Sequence, residues 1–361
     1  MEDPRTELQL SPALQEDLYE VDALPEIAVL YEPQFEVLEA YGLEASVGVI
    51  AVLSGGPEER VAAWEAGAIE VLTPDMDLDE ARVRLQTAVA RFRTRLELEQ
   101  DRERLSAQRT VLERNLRLAA RLQRSFLPAS LPDLPSVQFS TAFLPQEFVS
   151  GDSYDVRQLD EHHVLIATFD AVGHGVRAAL LTVLLRSNLE PKEPKGALRD
   201  PHLVVGDLNQ ALIDAHLEEY PTAAVCYAIL DVRSGEMRMA NAGHPQPIAL
   251  LPNGEKRSIG SSGLLLGIDP MTYETDTIQL SPGERVFFFT DGADPGYDGG
   301  FGEQLLRHRD LELELQVGGA LGEVIELDDE GRPEDDITVV GLCWGAASPS
   351  ASPPDTSTEE D

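Results

Sequence analysis

Val164-Leu165-Ile166-Ala167-Thr168-Phe169-Asp170-Ala171-Val172-Gly173-His174-Gly175 is the stretch on which the reading of this chain turns. Its first half is brief, apolar and partly β-branched, which predicts a strand buried on both faces. A carboxylate set against such a strand is expensive to bury alone. The glycine-containing turn then leads into Gly175 to Ser187, which reads as a helix. Three other stretches repeat the arrangement. Gly151-Asp152-Ser153-Tyr154-Asp155 opens a strand after a turn, and Thr290-Asp291-Gly292 ends Val286-Phe287-Phe288-Phe289. Asp335-Asp336-Ile337-Thr338 opens Val339-Val340-Gly341-Leu342. One Asp-Gly at a strand end is commonly only a turn; four acidic strand ends are harder to explain that way. Clustered carboxylates repel one another and take up protons unless cations neutralise them. Oxygen-only donors suit Mg²⁺ or Mn²⁺, and the absence of a His-rich or Cys-rich set argues against zinc.

Outward from this stretch, the region from Pro128 to Trp344 mixes strands and helices. Val137 to Leu144, Val164 to Phe169, Ala224 to Leu230 and Arg285 to Thr290 read as strands, and Leu203 to His216 as a second helix. Residues 79 to 126 contain no Pro or Gly and are dense in Arg, Glu, Leu and Gln, which predicts one long helix. Leu98, Leu105, Leu112, Ala119 and Phe126 recur every seven residues. The earlier stripe Leu85, Val89, Phe92 and Leu96 is out of register with it, placing a stutter near residue 97. Such a stripe suits either a helix lying on its own domain or a two-stranded coiled coil in a homodimer, and the second is preferred. Nearer the start, Ile27 to Leu30, Val47 to Leu53 and Ile69 to Leu72 read as strands around a helix from Pro57 to Gly67, a small α/β domain. The Ser/Pro/acid-rich residues after Trp344 read as a disordered tail.

The chain carries 65 acidic against 28 basic residues, a formal charge of −37. Phosphate-backbone binding needs a basic face, so no nucleic-acid partner is expected. Most of the acidity is then a solvated, self-repelling surface, and only position picks out the few functional carboxylates. No run of about eighteen apolar residues and no basic-then-apolar leader is present, which predicts no membrane span and a cytoplasmic location. Cys226 and Cys343 are the only cysteines and lack ligand spacing, so neither a disulfide framework nor a thiolate metal site is expected.

From about Leu122 to Trp344 the chain resembles the SpoIIE/RsbU type of bacterial serine/threonine phosphatase, within the protein phosphatase 2C-like (PPM) superfamily. The matching pieces are Leu122-Gln123-Arg124-Ser125-Phe126-Leu127-Pro128, Ser150 to Asp155, Asp170 to Gly175, Asn241-Ala242-Gly243-His244-Pro245, Leu266-Gly267-Ile268, Thr290-Asp291-Gly292 and Asp335 to Thr338. Their order and spacing match as well. The resemblance implies an α+β fold, a four-layer α/β/β/α sandwich, with two Mn²⁺ or Mg²⁺ ions at one edge. It implies Asp170 bridging both metals, Asp291 and Asp335 completing one shell, and Asp152 with the Ala171 carbonyl serving the other. The implied chemistry is in-line attack on a phosphoserine by a water activated between the cations. The implied substrate is a regulatory phosphoprotein, an anti-sigma-factor antagonist of the STAS type. A catalytically silent adaptor using the same fold is the alternative, and loss of a metal aspartate would have favoured it.

The neighbours of the four aspartates carry weaker expectations. Gly173 and His174 shape the turn, with a proton-donor role open to His174. Asn241 and His244 suit structural or supporting roles, and Asp155 and Asp336 are candidates for orienting water near the site. Arg177 suits either a phosphate contact or a plain surface position. Phe169 and Ser150 stand where the family often has Gly; neither replaces a metal carboxylate.

Residues 24 to 90 resemble the later part of a response-regulator receiver domain, through Val49 to Ser54 and Ala66 to Pro74. The position expected for the phosphoacceptor Asp falls near Tyr31, and Thr73 replaces the expected Lys. A phosphoryl switch needs both, so a pseudo-receiver that binds an upstream signalling partner is expected. The organisation predicted is therefore residues 1–80 receiver-like, 81–127 a helical linker, 128–344 the phosphatase-like sandwich and 345–361 a tail.

Overall fold

A computed structural model describes residues 26–31, 47–216, 221–295, 299–329 and 331–345. The chain divides into two compact units, residues 1–112 and 113–361. The expected tail, apart from Gly345, and the first 25 residues lie outside the described residues.

In the first unit, β1 (Glu26–Tyr31), β2 (Val47–Val52) and β3 (Glu70–Leu72) form a parallel sheet in that order. Helix α1 (Pro57–Glu65) begins with Pro57, Glu58 and Glu59, which suit a first turn because Pro lacks only an orphan N–H and acids face the dipole's positive end. Val49, Ala51, Leu53, Ala63 and Val71 form its small core. Helix α2 (Leu78–Phe126) runs 49 residues without interruption, crossing the boundary between the units. Asp77 caps it by accepting the Asp79 N–H at 2.9 Å and the Glu80 N–H at 3.3 Å. Leu98, Leu105 and Leu112 of the seven-residue stripe are exposed on it.

The second unit is built on two five-stranded sheets. The first has the order β10 (Lys256–Ser258), β9 (Ile248–Leu250), β12 (Arg285–Phe289), β13 (Ile337–Trp344), β4 (Val137–Leu144). The second has the order β11 (Asp276–Gln279), β8 (Glu236–Ala242), β7 (Ala223–Asp231), β6 (His163–Ala171), β5 (Asp152–Gln158). Val164, Ile166, Ala228, Val286, Phe288 and Val340 meet between the sheets. Alternate residues of the same strands, among them Leu165 and Phe169, pack outward on α3 (Gly175–Ser187) and α4 (Pro201–Asp214). Phe287, Phe289 and Val339 pack on α5 (Gly300–Arg307) and α6 (Leu313–Val324) on the far side. The expected four-layer α/β/β/α sandwich is therefore present. Covering both faces of each sheet explains why these strands read as continuous apolar runs.

Strand β6 runs two residues further than the apolar pattern predicted, taking in Asp170 and Ala171. The extension follows from pairing: Asp170 and Ala171 stand opposite Ala224 and Ala223 of β7, and Asp152 of β5 faces Asp170.

Candidate functional site

Antiparallel alternation brings the start of β5, the end of β6, the start of β7 and the end of β8 to one end of the second sheet. Asp152 and Asp170 are directly opposed in the β5–β6 register. Like charges facing each other across a ladder destabilise it, so this pair is an expense the fold must offset. Thr290, one residue beyond β12, contributes to that: its hydroxyl donates to Asp152 Oδ2 at 2.6 Å. The same hydroxyl accepts the Thr338 N–H at 2.8 Å, and the Thr290 N–H donates to the Thr338 carbonyl at 3.0 Å. Asp152, Thr290 and Thr338 are all buried. The first sheet thus grips a carboxylate of the second.

Asp335 and Asp336, adjacent in sequence, are used differently. Asp336 is buried, and its two oxygens accept the Gln146 N–H at 2.8 Å and the Gly151 N–H at 2.6 Å. It clamps the loop that delivers Asp152. Asp335 is exposed and lines a cavity of about 520 Å³ with Asp291, Gly292, Ile325, Glu334 and Ile337. Gly292 has to be glycine because a Cβ there would stand 2.2 Å from the Asp336 carbonyl oxygen. That close approach lets the Asp291–Ala293 turn lie against the start of β13.

The last turns of α2 hold the other side of the loop. Gln123 Oε1 accepts the Ser150 N–H at 3.0 Å, and its Nε2 donates to the Ser150 carbonyl at 2.6 Å. The Ser150 hydroxyl in turn accepts the Asp152 N–H at 3.0 Å. A Cβ on Gly151 would come within 3.0 Å of the Ala171 and Gly173 carbonyl oxygens, so glycine is required where the loop meets the end of β6. Arg117 lies over the Phe148 ring, 5.6 Å from its centre.

Electrostatics set this cluster apart from the rest of an acidic protein. Desolvation, then the charges of Asp291, Asp335 and Asp336, push the Asp170 carboxyl up to about 7. Burial and the facing Asp170 charge hold Asp152 well above the ordinary carboxylate range, against the lowering effect of the Thr290 hydroxyl. Burial also raises Asp335, with Asp291, Asp336 and Glu334 adding to it. Crowded carboxyls of this kind are what a hard divalent cation neutralises, and every donor here is oxygen. Among the described residues, no three His, Cys, Asp or Glu side chains close around one point at ion-binding spacing. The fit of the cluster to a cation therefore rests on its donor chemistry and mutual repulsion.

The remaining candidates separate. Ala171 is buried, and its N–H donates to the Gly151 carbonyl at 2.9 Å. Gly173 has a φ of +99°, the left-handed turn that a glycine admits. His174 precedes α3, is exposed, and has Nδ1 3.9 Å from Glu147; Arg177 is exposed on the first turn of α3. Asp155 corrects the expectation of a water-orienting role. It lies three residues from Asp152 and so on the other face of β5, paired with Ala167 in the register. Its carboxylate is 3.2 Å from Arg157 and 3.3 Å from Arg186, and it ties β5 to α3. Asn241 and His244 close a turn after β8: the His244 N–H donates to Asn241 Oδ1, and Asn241 Nδ2 to the His244 carbonyl, each at 2.9 Å. Burial holds the His244 ring neutral, with its pKa near 4.

Thr290, Thr338 and Gln146 had no assigned role in the sequence, and Gln123 only a place in a motif. A hydroxyl or amide on an apolar strand or helix face was the available signal, but its partners lie far away in the chain.

A model of the family described as Stage II sporulation protein E (SpoIIE) matches residues 160–345. Protein IcfG of Synechocystis sp. is 30% identical over 196 residues, covering 47% of this chain and 31% of IcfG. Phosphoserine phosphatase RsbP of Bacillus subtilis is 24% identical over 184 residues, covering 50% of this chain and 45% of RsbP. The match thus spans less than half the length of these curated relatives. Among solved structures, the SiaA-PP2C domain of Pseudomonas aeruginosa aligns with a TM-score of 0.56 and 24% identity, covering 66% of this chain and 99% of that one. The RsbU and RsbW domains of Rv1364c from Mycobacterium tuberculosis align with a TM-score of 0.52 and 20% identity, covering 62% of this chain and 64% of that one. At these identities the two structures speak to the fold alone.

Proposed function

The chain belongs to the SpoIIE family, and from that premise we propose that it is a metal-dependent serine/threonine protein phosphatase. Its substrate in this reading is a phosphorylated regulatory protein, an anti-sigma-factor antagonist of the STAS type. The observation that carries the proposal is the directly opposed Asp152–Asp170 pair beside Asp291 and Asp335. Asp152, Asp170, Asp291, Asp335 and the Ala171 carbonyl would hold two divalent cations, Mn²⁺ or Mg²⁺. Those cations supply Lewis-acid activation of a water and neutralise charge on the phosphoryl oxygens. The protein's own part is positioning. Thr290 fixes one oxygen of Asp152, while Asp336 and Gln123 fix the loop that carries it. The name of RsbP, a phosphoserine phosphatase, supports the substrate class.

The test is phosphate release from a phosphoserine protein with Mn²⁺, comparing wild type with Asp170→Asn. We expect a loss of at least about 100-fold, as removal of a group that acts only through the activated state requires. Equal activity of the two proteins would refute the metal assignment, and inactivity of both under every metal and partner condition would favour a silent adaptor.

Control in this reading comes from the N-terminal unit and α2. Tyr31 and Thr73 stand where a receiver would need Asp and Lys, so the unit binds a partner rather than a phosphoryl group. A stable Mg²⁺-dependent acyl phosphate on this unit, formed from a small phosphodonor, would contradict that. The exposed Leu98, Leu105 and Leu112 suit a seam between two copies. Leu105→Glu with Leu112→Glu is expected to give monomers by light scattering, and an unchanged mass would remove the seam.

A further inference from the structure

We propose that His244 donates its Nε2 lone pair to a divalent cation held at Asp291, making this end of the sandwich a mixed nitrogen–oxygen site that prefers Mn²⁺ to Mg²⁺. The inference rests on reading the aspartate cluster as a metal site, and it adds a ligand that an all-oxygen reading leaves out.

The ring of His244 has little freedom. The residue is 2% exposed, its backbone is locked by the reciprocal pair of bonds to Asn241, and Gly243 before it turns at a φ of +68°. Nδ1 lies 3.1 Å from the Pro245 carbonyl oxygen. A carbonyl only accepts, so Nδ1 carries the hydrogen, and in the neutral ring Nε2 is a bare lone pair. That nitrogen is buried and has no hydrogen-bond partner. An interior acceptor left unsatisfied is costly and calls for an explanation.

An imidazole whose Nδ1–H is held by a backbone carbonyl is the arrangement that orients a ligating histidine, because it fixes both tautomer and ring plane. The carboxylate whose charge acts on this ring is Asp291. The topology agrees: the turn follows β8, which pairs with β7, and β7 pairs with the Asp170–Ala171 end of β6. Two protein donors suffice, since Mg²⁺ and Mn²⁺ sites commonly keep several waters. An oxygen-only shell favours Mg²⁺, whereas an imidazole shifts preference toward first-row transition ions.

The test uses the full chain and Mn²⁺ itself. Mn²⁺ binding is titrated by EPR, and three-pulse electron spin echo envelope modulation reports any directly bound ¹⁴N. The expected result is ¹⁴N modulation in wild type and in His174→Asn, lost in His244→Gln. Mn²⁺ affinity falls at least about tenfold in His244→Gln, the lower end of what losing even an outer partner of a ligand costs. Mg²⁺ affinity changes less. Bound Mn²⁺ without ¹⁴N modulation in wild type would overturn the inference and leave the aspartate site standing. Modulation that survives in His244→Gln would overturn it equally, since the nitrogen then comes from elsewhere. If wild type binds no Mn²⁺, or Asp170→Asn binds it as well as wild type, the aspartate site itself is wrong. Because the first readout is on wild type, the test does not depend on the variant folding.

Discussion

The two sheets bring their carboxylates to the same end of the sandwich by different means. The second sheet places Asp152 and Asp170 inside its ladder, opposed in register and facing the other sheet. The first sheet places Asp291 and Asp335 beyond its strand ends, along an open cavity. The inner pair cannot move apart without breaking the pairing of β5 and β6, so its repulsion persists and Asp170 is pushed up to about 7. The outer pair sits on a turn and a strand approach, where small backbone shifts change its spacing. A rigid half and an adjustable half make a site that can be switched by moving only its outer ligands.

Removing the grip of one sheet on the other breaks this contrast most severely. Thr290→Val keeps the shape but leaves Asp152 Oδ2 without its donor and the buried Thr338 N–H without its acceptor. Loss of a partner that orients a ligand typically costs 10–100-fold in metal affinity. The orphaned N–H adds roughly 1–3 kcal/mol of instability. Thr290→Ser keeps the hydroxyl and is expected to restore Mn²⁺ affinity to within a few-fold of wild type. Calorimetric titration of both variants checks this; equal affinities for Val and Ser would show that Asp152 needs no anchor.

The adjacent pair Asp335 and Asp336 sharpens it next. Asp336→Asn weakens two charge-assisted bonds to the Gln146 and Gly151 N–H groups, and one amide end can no longer accept. A cost of about 1–3 kcal/mol follows, seen as a Tm lowered by about 2–4 °C per kcal/mol, with or without Mn²⁺. Asp335→Asn removes a repelling charge from an exposed position, so the metal-free Tm holds or rises while Mn²⁺ binding weakens. A scanning calorimetry comparison in which the two variants behave alike would erase the distinction drawn between them.

How far the sequence reached depends on the range of the interaction involved. Val137 to Leu144 and Gly175 to Ser187 were bounded to the residue, because apolar runs and glycine stops are local signals. The four aspartates stood out for the same reason. The separate roles of Asp335 and Asp336 did not, since Asp336 is defined by Gln146 and Gly151, 190 and 185 residues away. Thr290 meets Asp152 across 138 residues. Asp155 is the instructive failure: strand alternation alone puts it on the face opposite Asp152, and only nearness in sequence suggested a shared site.

The smallest effect concerns protons. In the unfolded chain an Asp titrates near 3.9, whereas in the folded chain Asp170, coupled to Asp152, stands at about 7. The folded state therefore binds more protons between those values. Metal-free stability must fall as pH rises from about 4 to about 7, and level off above. This slope is opposite to that of a carboxylate paired with a base, and Asp170→Asn should flatten it. A divalent cation has to displace the same proton, so its affinity rises about tenfold per pH unit below 7 while one proton is released. Each tenfold is worth about 1.4 kcal/mol, or about 3–5 °C in Tm for a unit of this size. The gain in Tm on adding Mn²⁺ is thus expected to grow from pH 6 to pH 7 by that amount and then level off toward pH 8. A gain independent of pH in this window would mean that the inner pair carries no proton to lose, and that the contrast between the two sheets is geometric only.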